Sequence, residues 1–276
     1  MVLYYYKYST IFMFTTIQNI KGRIGNQMFE VANAYAYSKR YNRNIVLNIP
    51  QERDTYYKKY GWITERFNCN NTIDSYEIWN EPTDGSYKQI ENINNNLFVD
   101  GYFQDTRYFE DYIDDIKQLF KCEVNIHKNI LNKYPDICNY VGIHIRRGDY
   151  LLPQNKNIFY IPEIEWYEYM YKLYFYQFTP IIFSDDIEWC KNNVHINNAI
   201  FSEFDDEILD FYALSLCKHH ICSNSTFSWW ACYLTPEQNE SINFFPVHWF
   251  TPESGLKNNL TIKLSDSPIL PAAFTY

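Results

Sequence analysis

The stretch YVGIHIRRGDY, residues 140–150, runs from an apolar segment directly into a cluster of charged side chains. Its apolar residues alternate with other residue types, which predicts a buried β-strand near 140–146. His144 and Arg146 share one face of that strand, and Arg147 stands where it ends. Because ligands of open α/β sheets bind at the carboxyl ends of strands, these basic groups lie at the ligand end of their domain. A guanidinium there can bind a phosphate through paired, charge-assisted hydrogen bonds.

An ion pair is the alternative interpretation of the same residues. Gly148 permits a turn before Asp149, whose carboxylate could pair with Arg146 or Arg147 and hold the loop. The residue types alone support a phosphate site and an ion pair equally.

A second polar cluster stands between a predicted strand, HHICS at 219–223, and a helix that begins near Thr226. Hydroxyls and unpaired backbone N–H groups at a helix N-terminus form an anion site. Plain helix capping is the alternative, because Ser, Thr and Asn are the preferred cap residues. One cap residue is enough for a helix, and the surplus in this turn favours phosphate binding by Ser223, Asn224, Ser225 and Thr226.

A glycine turn, KGRIGNQ at 21–27, connects an early strand to a helix. Gly22 and Gly25 flank Arg23 and would let the backbone approach a ligand closely. The turn lacks the G-x-G-x-x-G pattern of dinucleotide-binding folds. Taken alone, it indicates little more than a tight turn.

Two aspartates, Asp185 and Asp186, follow the predicted strand PIIFS at 180–184. They could accept hydrogen bonds from a base or a ribose, or cap the next helix, and capping is slightly favoured for one of them. The chain contains no Asp-x-Asp triplet, which weakens the case for a transferase that holds a nucleotide diphosphate through a metal. A bound diphosphate would therefore need arginines and helix ends as its positive charge.

Strands and helices alternate along most of the chain, a pattern typical of α/β domains with parallel sheets. Residues 51–95 are predicted as loops and short elements, and 121–138 as a domain boundary. Strands are predicted at 14–20, 44–50, 140–146, 180–184, 199–202, 219–223 and 241–245, and a strand followed by a loop at 97–104. Helices are predicted after the glycine turn, over 109–120, 162–178, 185–193 and 206–218, and from Thr226 onward.

The composition narrows the class of protein. A formal net charge of −9 over 276 residues argues against nucleic acid as a partner, because binding a phosphate backbone needs a broad basic face. Seven cysteines without a Cys-x-x-Cys pair favour reduced thiols in a cytosol over a disulfide framework. The apolar N-terminal stretch, 1–14, is too short to span a membrane and lacks a cleavage site, so a cytoplasmic protein is expected. No metal site is expected either, since no common zinc spacing fits Cys217, His219, His220 and Cys222.

Taken together, the motifs resemble those of the α-1,2-fucosyltransferases, family 11 of the glycosyltransferases. The resemblance covers roughly residues 14–250 and is weakest in the polar region 51–95. It is carried by GRIGNQMF at 22–29, GYFQDTRYF at 101–109, HIRRGDY at 144–150, FSDD at 183–186 and SNSTFSWWA at 223–231.

The resemblance implies a GT-B-like α/β fold, with two Rossmann-like parallel-sheet domains that face a cleft. We expect an acceptor-side domain at 1–138 and a nucleotide-sugar-binding domain at 139–276, whose tail packs back on the first. The implied substrates are GDP-fucose and an acceptor oligosaccharide, with transfer to the 2-hydroxyl of galactose. The implied reaction inverts the anomeric carbon and needs no metal or other cofactor.

Site roles also follow from the resemblance. Arg146 is expected to contact the β-phosphate, and Asp149 is the favoured general base, with His144 as the alternative. Asp185 is the first choice for guanine or ribose recognition. The expected donor-binding residues are Gly22, Arg23, Gly25, Asn26, Arg147, Asp185, Asp186, Asn224, Ser225, Thr226, Phe227 and Ser228. Three alternatives remain open: another nucleotide sugar, a non-catalytic nucleotide- or carbohydrate-binding protein, and a structural protein whose arginines form ion pairs.

Overall fold

The computed structural model describes residues 14–49, 67–69, 75–236 and 240–256. The first half of the chain forms a five-stranded sheet in the order β3-β2-β1-β5-β4, in which every paired strand is parallel. β1 lies at its centre, between β2 and β5. The strands are β1 Thr15–Asn19, β2 Asn44–Asn48, β3 Asn68–Cys69, β4 Glu77–Asn80 and β5 Leu97–Asp100.

The second half forms another parallel sheet, in the order β10-β9-β6-β7-β8. β6 is central, and its Ile143 lies opposite Ile182 of β7 and Ile221 of β9. All three isoleucines are fully buried, as expected for a parallel sheet that is covered on both faces. The strands are β6 Tyr140–Ile145, β7 Thr179–Ser184, β8 Ile200–Phe201, β9 His219–Cys222 and β10 Asn243–Phe244.

Seven α-helices occur in the described ranges. They are α1 Ile24–Arg40, α2 Ile113–Leu119, α3 Val124–Lys133, α4 Ile164–Met170, α5 Ile187–Asn193, α6 Glu207–Leu216 and α7 Thr226–Tyr233. A π-helical turn, Tyr171–Phe175, continues α4. None of the helices in the described residues is long and apolar enough to cross a membrane.

The two halves share an aromatic core. Phe29 of α1 lies 4.7 Å from the Trp229 ring and 4.9 Å from the Trp230 ring, both on α7. Phe109 stacks on Trp230 at 5.6 Å, and Phe120 meets the same indole edge-on at 5.2 Å. Because all of these rings are almost completely buried, α1 and α7 are fixed against each other across the boundary between the two sheets.

The predicted α/β class and most predicted strands are confirmed, with several local differences. The region 121–138, predicted as a boundary, contains α3, whose buried face is little more than Ile130. The helix predicted over 109–120 begins as 3₁₀ turns and becomes α-helical only at Ile113. Two short strands, β3 and β4, lie within 51–95, the region predicted as loops and short elements. The division at residue 138 stays a prediction, and the expectations for 1–13 and for the tail from 257 onward lie outside the described residues.

Candidate active site

A cleft of about 1310 Å³ lies between the two sheets. In each sheet the order of the strands reverses at the central strand. β2 and β5 lie on opposite sides of β1, and β7 and β9 lie on opposite sides of β6. Such switch points are where open α/β sheets bind ligands, beyond the carboxyl ends of the strands. The cleft is lined there by residues that follow the strands of both halves: Lys21, Glu81, Gly101, Arg146, Asp185 and Ser202.

Arg146 lies in this cleft, directly after β6. Its side chain is only 10% exposed, and its guanidinium donates to two carboxylates, Nη1 to Asp185 and Nη2 to Asp149. Its backbone N–H donates to Ser223 Oγ at 2.7 Å, which ties the end of β6 to the turn after β9. The predicted ion pair is therefore present at Arg146, and the same residue lines the cleft, where phosphate binding stays a prediction.

Arg147 points away from Arg146 and stabilises a neighbouring helix. Its guanidinium carbon lies 3.3 Å above the Trp189 ring, and its Nε donates to Asp186 at 3.2 Å. Asp186 also accepts from Trp189 N at 3.3 Å, which makes it the N-cap of α5. The predicted capping role for one aspartate of this pair is thus confirmed, and neither Arg147 nor Asp186 lines the cleft.

Asp185 connects several charged groups on the cleft wall. Its Oδ1 accepts from Arg147 N at 2.9 Å, and its Oδ2 accepts from Arg146. Arg23 reaches across from the first half, with Nη1 at 3.8 Å from Asp185 and Nη2 at 2.9 Å from Glu207. A Cβ atom on Gly148 would overlap the Asp185 carboxylate, so a larger residue there would displace that side chain.

The N-termini of α1 and α7 meet at the cleft. A Cβ on Gly25 would lie 2.5 Å from Thr226 Oγ1 and would also overlap Phe227 N, so only glycine allows this approach. Asn26 Oδ1 accepts from Thr226 Oγ1 at 2.9 Å and from Gln104 Nε2 at 3.0 Å. Ser225 occupies the N-cap position of α7, yet its side chain makes no capping hydrogen bond. The surplus of polar groups in this turn is therefore not explained by capping through Ser225.

His144 lies behind Arg146 and is buried. Its Nδ1 is 3.1 Å from Ser228 Oγ, and its ring stacks on Phe227 with centroids 5.0 Å apart. Burial, with the nearby charges of Arg146 and Arg23, lowers the pKa of His144 to about 3. The imidazole is consequently neutral at ordinary pH and fixes the start of α7.

The predicted residues divide into two groups. Eleven line the cleft: Gly22, Arg23, Gly25, Asn26, His144, Arg146, Asp149, Asp185, Ser225, Thr226 and Phe227. The other four, Arg147, Asp186, Asn224 and Ser228, stand outside the lining and support it. Asn224, for example, donates to Trp249 O at 2.5 Å and accepts at its own carbonyl from Tyr150 Oη at 2.9 Å.

Comparison with known proteins identifies the family. The sequence model of glycosyl transferase family 11 matches residues 3–259, nearly the whole chain. The chain belongs to glycosyl transferase family 11. Membership of this family makes the chain a glycosyltransferase.

Two proteins with similar sequences carry different transferase names. An α-1,2-colitosyltransferase of Escherichia coli is 28% identical, and the match covers 87% of this chain and 94% of that protein. The galactoside 2-α-L-fucosyltransferase SEC1 of Bos taurus is 24% identical over 78% of this chain and 63% of its own length. The chain thus spans somewhat less than two thirds of the bovine relative.

Solved structures confirm the GT-B-like fold. The NodZ α-1,6-fucosyltransferase co-crystallised with GDP superposes with a TM-score of 0.51 at 12% identity, over 84% of this chain and 95% of that one. A selenomethionine form of the fucosyltransferase NodZ from Bradyrhizobium gives a TM-score of 0.52 at 13% identity, over 84% of this chain and 94% of that one. At these identities the likeness concerns the fold.

Several cleft residues of the family-11 chain were not selected from the sequence. Lys21 Nζ pairs with Asp100 at 2.7 Å on the first-half wall. Tyr150 stacks on Phe159 with centroids 4.1 Å apart and nearly parallel rings, which builds an aromatic wall beside Arg146. Asp210 of α6 also lines the cleft. The DY pair after Gly148 was a usable signal for Tyr150, whereas nothing in the local spacing distinguishes Asp210 from other helical acids.

Proposed function

We propose that the chain is an inverting α-1,2-fucosyltransferase, which moves L-fucose from GDP-fucose to the 2-hydroxyl of a galactoside. The observation that carries the proposal is the position of Arg146. Its guanidinium lies at the switch point of the second sheet, beside the place where the N-termini of α1 and α7 meet. Three sources of positive charge thus converge on one part of the cleft.

This arrangement suits a leaving diphosphate. As the bond between the anomeric carbon and the β-phosphate oxygen breaks, negative charge collects on the phosphate oxygens. Arg146, the Ser225 and Thr226 hydroxyls and the first N–H groups of α7 would stabilise that charge, and preorganised donors of this kind are a large catalytic factor. Gly22 to Asn26 would approach the same phosphates from the first half. The phosphate would share or replace the Asp149 and Asp185 partners of Arg146.

The acceptor hydroxyl would attack the anomeric carbon from the face opposite the leaving GDP, which inverts that centre. Its proton needs an acceptor, and Asp149 is our choice because its side chain is 48% exposed and lines the cleft. His144 is the weaker candidate, since a pKa of about 3 leaves its imidazole little affinity for a proton. We assign His144 to holding Phe227 and the α7 start beside the phosphates.

The donor sugar has a second candidate. The Escherichia coli relative is named for transfer of colitose and matches most of this chain, so colitose transfer is the alternative to fucose transfer. The bovine relative, named for fucose transfer to a galactoside, supports the first candidate and the α-1,2 linkage. The NodZ structure with GDP supports a guanine nucleotide as the carrier.

The test is an incubation of the protein with GDP-fucose, EDTA and a panel of galactosides, followed by measurement of GDP release and of the product linkage by NMR. We expect an α-1,2-fucosylated galactoside and undiminished turnover in EDTA, because the charge on the diphosphate is met by protein groups. GDP-mannose and UDP-sugars serve as controls and should give little product. Turnover with a UDP-sugar in place of GDP-fucose would contradict the proposal.

A further inference from the structure

An exposed aromatic side chain, Tyr102, lies on the first-half wall of the cleft. It follows β5, whereas Lys21 follows β1 and Glu81 follows β4, and these three strands are neighbours in the first sheet. All three residues line the cleft beyond the carboxyl ends of their strands. Because Tyr102 is 42% exposed, a ligand in the cleft can contact its ring.

The backbone next to Tyr102 is strained and firmly held. Phe103 has a φ of +52°, in the left-handed region that a bulky side chain rarely adopts. Its ring is fully buried and stacks on Trp79 with centroids 6.0 Å apart. The Glu81 carboxylate accepts from Tyr102 N at 2.7 Å and from Phe103 N at 3.1 Å. Strain of this kind persists where a site needs it, and here it buries Phe103 while Tyr102 stays exposed in the cleft.

A charged pair lies beside the Tyr102 ring. Lys21 Nζ is 4.7 Å from the ring centroid and 2.7 Å from Asp100 Oδ1, which also accepts from Asn19 Nδ2 at 3.1 Å. The Lys21 and Asp100 side chains are both partly exposed, so a donor and an acceptor are available to a ligand. A sugar ring has an apolar C–H face and a rim of hydroxyl groups, and it fits an aromatic surface with polar groups at its edge.

Hydrogen bonds connect this loop with the phosphate end of the cleft. Gln104, two residues after Tyr102, donates from Nε2 to Asn26 Oδ1 at 3.0 Å. Thr226 Oγ1 donates to the same oxygen at 2.9 Å, and Thr226 is the first residue of α7. A sugar that rests on Tyr102 is thus one short loop away from the groups assigned to the leaving diphosphate.

We propose that Tyr102 is the platform for the acceptor, its ring carrying the apolar face of the galactose that receives the fucose, while Lys21 and Asp100 bind hydroxyls of that sugar. This assignment rests on the proposed function, which makes a galactoside the acceptor. The axial 4-hydroxyl of galactose leaves the protons on C3, C4 and C5 on one face, which gives an aromatic ring a continuous apolar surface. In glucose the proton on C4 points to the other face, so the same contact is smaller.

The experiment compares the wild-type chain with Tyr102→Ala, Tyr102→Phe and Tyr76→Ala, with GDP-fucose as donor and methyl β-galactoside as acceptor. Tyr102→Ala should raise the KM for the galactoside about tenfold, because the stacking surface is lost. The Kd for GDP, measured by calorimetry, should stay unchanged, which distinguishes a lost acceptor contact from damage to the fold. Tyr102→Phe keeps the ring face and should restore the wild-type KM.

Tyr76→Ala is the matched control. Tyr76 belongs to the same half, is 44% exposed and packs on Phe98 at 5.4 Å, but stands outside the lining of the cleft. Its substitution should leave the KM for the galactoside and the affinity for GDP unchanged.

Saturation-transfer NMR of methyl β-galactoside with the wild-type chain gives a measurement that needs no variant. The protons on C3, C4 and C5 should receive more saturation than the proton on C2, because they face the ring. This difference should disappear with Tyr102→Ala. Even saturation around the sugar in the wild-type chain would contradict the stacked arrangement.

The kinetic results separate failure of this assignment from failure of the proposed function. A wild-type chain that fucosylates galactosides, with Tyr102→Ala keeping the wild-type KM, would refute the role of Tyr102 alone. Equal impairment of Tyr102→Phe and Tyr102→Ala would refute stacking, and a matching loss of GDP affinity in Tyr102→Ala would make the ring a support of the fold. A wild-type chain that binds GDP-fucose and transfers fucose to no galactoside would refute the proposed function and, with it, the acceptor platform.

Discussion

Asp149 is the residue proposed to take the proton from the acceptor hydroxyl. Its carboxylate accepts a hydrogen bond from Arg146 and is half exposed in the cleft. Asp149→Asn keeps the shape and removes the base, so kcat should fall about 100- to 10,000-fold. GDP affinity should be kept or increased, because the phosphate no longer competes with that carboxylate for Arg146. Steady-state kinetics and GDP titration measure both quantities.

The control for Asp149 is Asp111→Asn, which removes an acid from a surface ion pair with Arg40. It should leave kcat unchanged. If Asp149→Asn kept full activity across the pH range, Asp149 would serve only to hold Arg146, and the acceptor would need no protein base.

Burial of Glu30 should make the free energy of unfolding depend on pH. It is completely buried on α1, where its Oε2 accepts from Lys21 N at 3.0 Å and its Oε1 has no hydrogen-bond partner. Burial raises the pKa of Glu30 well above its usual value, although Lys21 lowers it and Asp100 and Glu81 raise it again. The folded state therefore retains a proton that the unfolded state has lost, and stability declines as the pH rises toward the folded pKa.

Glu30→Gln removes this dependence and keeps the side-chain shape. In thermal melts the variant should gain stability relative to the wild-type chain as the pH is raised from about 5 to about 8. Glu188→Gln is the control, since Glu188 is exposed and forms its ion pair with Lys191, at 2.7 Å. Melting curves of Glu30→Gln that stay parallel to the wild type over this range would contradict the buried, protonated carboxyl.

At the level of single residues, the sequence predicted which arginine faces the cleft but not what surrounds it. The period of two in β6 places His144 and Arg146 on one face, and the structure agrees. The stacking of Arg147 on Trp189 depends on α5, which lies forty residues further along the chain. Asp210 could not be found, because nothing local shows that the first turn of α6 faces a cleft formed with the other half.

The close contact between the N-termini of α1 and α7 should be sensitive to substitution of Gly25. Gly25→Ala would push a methyl group into Thr226 and Phe227 and separate the two helix N-termini. Overpacking of this kind should destabilise the fold by about 1–3 kcal/mol. Activity should fall more than stability explains, since the same N-termini are assigned to the phosphates. Chemical denaturation and kcat/KM measure the two effects.

Gly255→Ala provides the comparison. Gly255 has a φ of +67°, but a Cβ there meets no atom within 4 Å. Its substitution should therefore show only the backbone strain of about 1–2 kcal/mol and normal activity. If Gly25→Ala behaved like Gly255→Ala, with normal kcat/KM, the approach of the two helices would not matter for catalysis.

Strands and helices whose apolar pattern ends clearly at polar residues were predictable from the sequence. Elements with a weak apolar pattern were not. β6 and β7 were predicted to within about one residue, because apolar runs end at Arg146 and at Ser184. Short elements were predicted within 51–95, but β4 could not be located there because it is short and mostly exposed, with Ile78 63% exposed. α3 was missed because Val124, its first residue, is 86% exposed and Ile130 is its only buried residue.

The whole molecule should unfold as one unit, because a single aromatic core joins its two halves. Trp230 touches Phe29, Phe109 and Phe120, all of which come from the first part of the chain. Trp230→Ala should reduce stability by about 3–5 kcal/mol and turn a single calorimetric transition into a broader or double one. Tyr174→Ala, at a 41% exposed position, should leave the transition single. A single, unbroadened transition in Trp230→Ala would contradict coupling through this residue.

The sequence predicted the two sheets, but it did not predict the packing that couples the two halves. Alternating strands and helices predict two parallel sheets from local pattern alone. Which helix faces pack together depends on contacts between residues about two hundred positions apart, such as Phe29 and Trp229. The resemblance to family 11 supplied the cleft between the domains, and the structure supplied the shared core that fixes it.

The most direct test of the central claim is the effect of Arg146→Ala on GDP release from GDP-fucose in the presence of a galactoside and EDTA. Loss of one charged contact to the leaving diphosphate should lower turnover about a hundredfold or more, equivalent to about 3 kcal/mol. Arg40→Ala, which breaks only the 3.0 Å surface pair with Asp111, should keep normal turnover. Near-normal turnover in Arg146→Ala would contradict the account, because Arg146 would then be no more than the partner of Asp149 and Asp185.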